Sequence, residues 1–278
     1  MKKYYHLFRI KHYFKNLIIF SPILFIEKKI DDYEILNLFN VFLVFCLVAS
    51  IVYIYNDIQD IHSDKNHPTK KKTKPLVNGQ VSQGEAYIWI LVLILSSICF
   101  LYFNQKLIII FLSYLLINFF YTHIFKKVIF LDILVLSSNY VIRVLAGCIS
   151  LNVPLSYWMG ATIFSGALFL SSLKRKQELF LYGTKSRKVL KLYSVKWLRF
   201  LTNFTAILSI IFYCSYVVSV NQKLVITVPL VIYAIFRYNK LSSSKNFSDS
   251  PVDEIVNDKQ NIMIIFLWII FVVGAKLY

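Results

Sequence analysis

The sequence predicts an all-α integral membrane protein with a bundle of about nine transmembrane helices. The chain has 278 residues, of which 58% are hydrophobic and only 16% are charged. Soluble domains have about 25% charged residues, so the surplus of apolar side chains is expected to face lipid. The 24 phenylalanines and 19 tyrosines suit this environment, where aromatic rings fill space and lie at the membrane interfaces.

Each apolar run is close to the length that a membrane crossing needs. An α-helix rises 1.5 Å per residue, so about 20 apolar residues cross about 30 Å of hydrocarbon. The runs cover residues 14–33, 35–55, 86–103, 105–122, 128–149, 156–173, 201–220, 222–239 and 261–277. Longer loops are predicted at about 56–85, 174–200 and 240–260, within a single membrane-embedded domain over residues 1–278.

The positions of lysine and arginine predict the orientation. If the N-terminus is cytoplasmic and the C-terminus is outside, most of the 31 basic residues fall in cytoplasmic segments, as the positive-inside rule requires. The same bias accounts for the net charge of +17 without nucleic-acid binding. All three longer loops then lie on the cytoplasmic side, which is typical of an enzyme that works at that face of a bacterial cytoplasmic membrane.

An acidic motif follows the second apolar run. If the helix continues through it, Asp57, Asp60 and Asp64 share one face, and Asn56 lies one turn before Asp60. Carboxylates crowded near hydrocarbon repel one another and are costly to desolvate, and a divalent cation relieves both effects. Mg²⁺ prefers one or two carboxylates together with substrate phosphate oxygens, so we expect the three aspartates to bind Mg²⁺. The alternative is a solvated helix end with chance spacing.

A basic run follows directly and includes Lys70 and Lys74. Lysines in such a run bind anionic lipid headgroups, with about 1 kcal/mol for each one near the surface. Beside the carboxylates, they also suit a substrate with several phosphate groups. The sequence leaves both interpretations open.

Two further groups of residues lie in or near apolar runs. Tyr121 and Lys126 precede a run that contains Asp132 and Arg143, and ionisable residues inside a span are expensive and usually functional. For this pair, the alternative is a structural ion pair with another helix.

Lys174, Arg175 and Glu178 form a cationic cluster that suits an anionic substrate, although Lys174 and Glu178 also have the spacing of a simple helix-surface pair. Near the N-terminus, Lys15 and Asn16 lie deepest in a basic segment that leads into the first run. We expect them to contact a ligand, and membrane anchoring is the alternative.

These motifs resemble those of the UbiA-like superfamily of intramembrane prenyltransferases and, within it, the decaprenyl-phosphate phosphoribosyltransferase branch. The superfamily resemblance rests on the acidic motif, on Thr-x-Pro-Leu at 73–76 and on the nine runs. The branch resemblance rests on Lys15-Asn16, Phe20-Ser21-Pro22, His67-Pro68, Tyr121 to Lys126, Asp132, Ser137-Ser138, Arg143-x-x-Ala146-Gly147, Lys174-Arg175-x-x-Glu178 and residues 251–258.

The resemblance implies a UbiA-like fold with its active site at the cytoplasmic end. It implies Mg²⁺-dependent transfer of 5-phosphoribose from 5-phosphoribose 1-diphosphate to a polyprenyl phosphate, with diphosphate as the leaving group. Asp57, Asp60 and Asp64 would bind Mg²⁺–diphosphate, and Asn56 would orient them. The predicted substrate-binding residues are Lys15, Asn16, Lys70, Lys74, Tyr121, Lys126, Arg143, Lys174, Arg175 and Glu178.

One departure from the wider superfamily bears on the substrate. The region 174–200, where a second Asp-rich motif is usual in that superfamily, contains no aspartate. This disfavours a UbiA-type enzyme that prenylates an aromatic acceptor, which stays open as an alternative together with a non-catalytic transporter. The sequence is compatible with a homo-oligomer.

Overall fold

The computed structural model describes residues 2–26, 28–65, 70–101, 105–185, 188–220, 222–242 and 258–277. Within these ranges the chain is helical and contains no β-strand. The α-helices are α1 (Lys2–Leu7), α2 (Ser21–Phe25), α3 (Asp32–Gln59), α4 (Ile61–Asp64), α5 (Lys70–Thr73), α6 (Gln83–Leu101), α7 (Ile108–His123), α8 (Leu131–Ser150), α9 (Tyr157–Tyr182), α10 (Val195–Val220), α11 (Val228–Leu241) and α12 (Lys259–Leu277). A 3₁₀ helix, Ile10–Phe20, precedes α2, and shorter 3₁₀ turns join several of the longer helices.

Seven helical segments in the described ranges are long and apolar enough to cross a membrane. They are Asp32–Gln59, Gln83–Phe100, Gln105–His123, Leu131–Ser150, Val195–Val220, Gln222–Leu241 and Lys259–Lys276. The predicted class, an all-helical integral membrane protein, is therefore confirmed.

The other two predicted runs are not among these seven segments. The run 14–33 falls largely on the 3₁₀ helix and α2, and the run 156–173 forms the apolar part of α9, whose later turns carry charged residues. With a rise of about 2.0 Å per residue in the 3₁₀ helix and about 1.5 Å in α2, residues 10–25 cover about 30 Å. The count of nine spans stays a prediction.

The second predicted run, 35–55, extends in the structure at both ends. At the start of α3 the Asp31 carboxylate accepts a hydrogen bond from the Glu34 amide at 2.7 Å, and the Glu34 side chain accepts one from the Asp31 amide. This reciprocal cap satisfies amides that the helix itself cannot pair. At the other end α3 ends at Gln59, and α4 begins with Ile61, so that only Asp60 separates the two helices. The interruption therefore divides the acidic motif between two helices.

The chain forms two compact units. The first comprises Met1–Pro22, Lys28–Phe125 and Ile142–Pro154, and the second comprises Ile23–Glu27, Lys126–Val141 and Leu155–Tyr278. The single domain predicted from the sequence stays a prediction.

In the first unit, apolar residues pack around the last turns of α3. Ile54 and Ile58 of α3, Ile61 of α4 and Leu7 of α1 are buried in one cluster with residues of α6. On the edge of this cluster, Trp89 contacts the ring of Phe8 edge-on, with 5.1 Å between the centroids. The cluster fixes the N-terminal segment and α4 against the end of α3, where the acidic motif lies.

In the second unit, three residues of the segment after α9 are buried. Val189, Leu190 and Tyr193 pack with Ile133 of α8 and Leu168 of α9. The segment that follows α9 is thereby held against the first turns of α8, and this contact positions the charged residues described below.

At Gly147, two backbone segments of the first unit come close together. A Cβ atom at this position would lie 2.1 Å from the carbonyl oxygen of Ile19 and 3.3 Å from Cγ of Pro22. Only glycine fits there, because the obstacle is the main chain of the 3₁₀ helix. This contact sets the packing of the 3₁₀ helix on α8.

We therefore predict that Gly147→Ala lowers the free energy of unfolding by about 1–3 kcal/mol, the usual cost of overpacking. The measurement is reversible unfolding of the purified protein in mixed detergent micelles. Gly274→Ala is the matched control, since a Cβ atom there meets nothing within 4 Å. Equal stability of the two variants would show that the close approach at Gly147 does not constrain the fold.

Candidate active site

The acidic motif brings two carboxylates to one point. Asp57 on the last turn of α3 and Asp64 at the end of α4 are both 3% exposed. Nζ of Lys74 lies 2.5 Å from Oδ1 of Asp57 and 2.5 Å from Oδ2 of Asp64. The two oxygens are therefore no more than twice that distance apart, with one ammonium group shared between them.

Arg9 is a fourth member of this cluster, and it was not among the residues predicted from the sequence. Its Nη2 donates a 2.6 Å hydrogen bond to Oδ1 of Asp57, and its guanidinium lies 4.9 Å from the centroid of the Tyr53 ring. Burial alone would lower the pKa of Arg9, but the charge and hydrogen bond of Asp57 raise it above its ordinary value. The only sequence signal was its place in the basic N-terminal segment.

The third predicted carboxylate, Asp60, stands at the helix interruption and is half-buried. The continuous helical face expected from the spacing is broken there. Within the described residues, no three side chains of His, Cys, Asp or Glu are grouped closely enough to hold a metal ion. The pair Asp57 and Asp64 nevertheless fits Mg²⁺, which takes one or two carboxylates and completes its shell with phosphate oxygens and water.

A second cluster of the first unit surrounds Arg143, which is 4% exposed on α8. Nε of Arg143 donates to Oδ1 of Asn16 at 2.7 Å, and Nη2 donates to the Tyr114 hydroxyl at 2.9 Å. Nδ2 of Asn16 in turn contacts Sγ of Cys46 at 3.3 Å. Both of these acceptors are neutral groups, and they orient the guanidinium. The structure thus brings together two predicted residues, Asn16 and Arg143.

In the second unit, Arg175 and Asp132 form a buried ion pair between α9 and α8. Nε of Arg175 donates to Oδ2 of Asp132 at 2.6 Å, and Nη1 donates to Oε2 of Glu178 at 2.8 Å. Arg175 is 1% exposed and Asp132 is 0% exposed. For Asp132, the structure shows the alternative that the sequence left open, an ion pair with another helix.

Tyr193 completes this pair, although the sequence gave no sign of it. Its hydroxyl donates to Oδ1 of Asp132 at 2.5 Å and accepts a hydrogen bond from the amide of Phe130 at 2.8 Å. Burial, followed by the hydrogen bond to Asp132, raises the pKa of Tyr193 above its ordinary value. The hydroxyl therefore stays protonated and ties the segment after α9 to the first turn of α8.

The remaining predicted residues take various places. Half-buried positions are occupied by Lys15 on the 3₁₀ helix, Asn56 on α3, Tyr121 on α7, Lys126 after α7 and Lys174 on α9. All five make polar, charged or ring contacts. The side chain of Lys70, the pair His67-Pro68 and residues 251–257 lie outside the described residues.

Comparison with known proteins gives consistent results. Residues 23–251 match the UbiA prenyltransferase family. The chain is 31% identical over 255 residues to the decaprenyl-phosphate phosphoribosyltransferase of Mycolicibacterium smegmatis, which covers 85% of this chain and 79% of the relative. It is 28% identical to the Corynebacterium glutamicum protein of the same name, over 96% of this chain and 84% of the relative.

The fold also matches that of a solved structure. A UbiA homolog from Archaeoglobus fulgidus bound to DMAPP and Mg²⁺ superimposes with a TM-score of 0.74, covering 99% of each chain at 16% identity. Because the family model matches most of the sequence and the helical fold agrees, the chain belongs to the UbiA prenyltransferase family.

Proposed function

We propose that this protein transfers 5-phosphoribose from 5-phosphoribose 1-diphosphate to a polyprenyl phosphate, in a Mg²⁺-dependent reaction that releases diphosphate. The observation that carries the proposal is the match along 85% of the chain to a relative named decaprenyl-phosphate phosphoribosyltransferase. The first-unit cluster supports it, because buried carboxylates and cations that converge on one point suit a metal–diphosphate group. The Mg²⁺ bound to the Archaeoglobus fulgidus homolog supports the choice of metal.

The chemistry requires charge stabilisation more than proton transfer. An oxygen of the lipid phosphate forms a bond to C1 of the ribose, and the bond from C1 to diphosphate breaks, with the electron pair leaving on diphosphate. The attacking phosphate is already anionic and needs no general base. Asp57 and Asp64 would hold Mg²⁺, which would supply positive charge to the leaving group. Lys74 and Arg9 would stabilise the same charge from fixed positions.

The other predicted residues extend this proposal. Arg143, oriented by Asn16 and Tyr114, would bind a phosphate group, since an ionisable residue inside a span is costly and usually functional. Asn56 and Asp60 would complete the metal surroundings. Lys15, Lys70, Tyr121, Lys126 and Lys174 are proposed to contact phosphate groups.

We also propose that the active site faces the cytoplasm of a bacterium, with the N-terminus on that side. Basic residues retained on the cytoplasmic side would surround the donor, which is soluble and highly charged. The polyprenyl acceptor need not leave the membrane. A homo-oligomer is compatible with this arrangement.

The function is tested with the purified protein, Mg²⁺, a polyprenyl phosphate and 5-phosphoribose 1-diphosphate labelled in the ribose. We expect label in the organic phase after lipid extraction, and none when EDTA replaces Mg²⁺. Transfer from a prenyl diphosphate to an aromatic acid, without any labelled lipid, would instead assign the protein to aromatic prenylation. Absence of turnover with either donor would support a transporter.

Asp57→Asn is predicted to reduce phosphoribosyl transfer by about 10²–10³-fold, the loss typical of removing one group that stabilises transition-state charge. Asparagine keeps the shape of the side chain and an acceptor for Arg9. Asp32→Asn, at an exposed position in the first turn of α3, is the control and should keep full activity. A folded Asp57→Asn variant with undiminished turnover would contradict the metal assignment.

A single and a double variant distinguish whether Arg175 binds phosphate or only pairs with Asp132. Arg175→Met leaves a buried carboxylate without its partner and should destabilise the protein by about 3–5 kcal/mol. The double variant Arg175→Met/Asp132→Asn should recover most of that loss, as measured by unfolding in detergent. If Arg175 binds phosphate, the stable double variant will still show a raised KM for 5-phosphoribose 1-diphosphate; if Arg175 only holds α9 to α8, KM will be unchanged.

A further inference from the structure

The four charged side chains of the first-unit cluster balance one another. Two carboxylates, Asp57 and Asp64, contact two cations, Lys74 and Arg9, through the hydrogen bonds of 2.5–2.6 Å given above. The carboxylates are 3% exposed, so without a compensating cation their burial would be very costly. Their charge is therefore already neutralised by the protein itself.

Binding of a divalent cation on its own to this cluster is electrostatically unfavourable. It would add two positive charges beside those of Lys74 and Arg9, and it would compete with Lys74 for the same two oxygens. Like charges this close in a site of low dielectric repel strongly. A metal ion that arrives together with a diphosphate group avoids this penalty, because the anion compensates both the metal and the displaced ammonium group.

Lys74 is better suited than Arg9 to change partners. The Lys74 ammonium contacts both carboxylates, whereas Arg9 contacts Asp57 and is also placed against the Tyr53 ring. A lysine carries its charge on a flexible four-carbon stem with three rotatable donors, and an arginine fork is rigid. Lys74 lies in the loop that follows the short helix α5.

We propose that Lys74 is the resident counter-ion of the Asp57–Asp64 pair and that it passes to the diphosphate of the donor when the metal ion enters. Metal ion and diphosphate then bind cooperatively, and the metal ion alone binds weakly. This inference rests on the proposed function and adds to it that Lys74 changes partner when the metal ion and diphosphate bind.

The test is direct binding of Mn²⁺, as a probe of the Mg²⁺ site, to the protein in lipid nanodiscs by equilibrium dialysis with and without inorganic pyrophosphate. The signal is the excess of Mn²⁺ over the protein-free compartment, so Mn²⁺–pyrophosphate in solution is subtracted. Pyrophosphate should tighten Mn²⁺ binding by about 5- to 150-fold, the range of ordinary coupling between sites. Asp57→Asn/Asp64→Asn serves as the blank.

Lys74→Met should bind Mn²⁺ alone at least about tenfold more tightly than the natural protein, because the competing charge is gone, with a much smaller effect of pyrophosphate. Lys74→Arg should retain the coupling. Lys72→Met is the matched control, since Lys72 is exposed on the same short helix, and it should behave like the natural protein.

Two results would overturn the inference in distinguishable ways. If Lys74→Met binds Mn²⁺ alone no more tightly than the natural protein, Lys74 is not the resident counter-ion, and the proposed phosphoribosyl transfer is unaffected. If the natural protein binds no Mn²⁺ even with pyrophosphate, the metal site of the proposed function is wrong as well.

Discussion

The structure depends on one constraint, which is that a charge buried in an apolar helical bundle must have a partner. In the first unit, Asp57 and Asp64 share the ammonium of Lys74, and in the second unit Asp132 pairs with Arg175. Each cluster also includes a residue from outside the long helices. The loop after α5 supplies Lys74, and the segment after α9 supplies Tyr193, which binds the same carboxylate as Arg175. The irregular parts of the chain are therefore held in place by the charges that the helices carry.

Much of the fold could be predicted because lipid imposes a simple rule on composition and length. Seven of the predicted apolar runs correspond to helices that are long and apolar enough to span a membrane. This rule does not predict the local backbone conformation. Residues 10–20 were part of an ordinary predicted span or its approach, yet they form a 3₁₀ helix against which Gly147 packs without room for a methyl group. The interruption at Asp60 has no local signal either, since no proline or glycine marks it.

Part of the candidate site could be predicted, because a charged residue in or beside an apolar run costs free energy and is therefore easy to recognise. Asp57, Asp64 and Arg143 stand out because charges in or beside apolar runs are expensive, and the structure buries all three. Their partners do not stand out in the same way. Tyr114 and Tyr193 are two of 19 tyrosines in a chain where aromatic residues are common everywhere, so nothing local distinguishes those that meet a buried charge. Which tyrosine does so is decided by contacts between segments far apart in sequence.

The two buried carboxylate clusters differ in the cation that bridges two carboxylates, which is Arg175 in one and Lys74 in the other. A buried ion pair contributes little net stability compared with apolar residues of the same size, so its presence calls for another reason. Around Asp132 the cation is Arg175, whose planar fork reaches Asp132 and Glu178 at once and holds two helices in a fixed relation. Between Asp57 and Asp64 the cation is a lysine, a compact charge that can move to another anion without distorting the backbone. An arginine fork suits a contact between two helices, and a lysine that can leave suits a pair that is proposed to admit a metal ion.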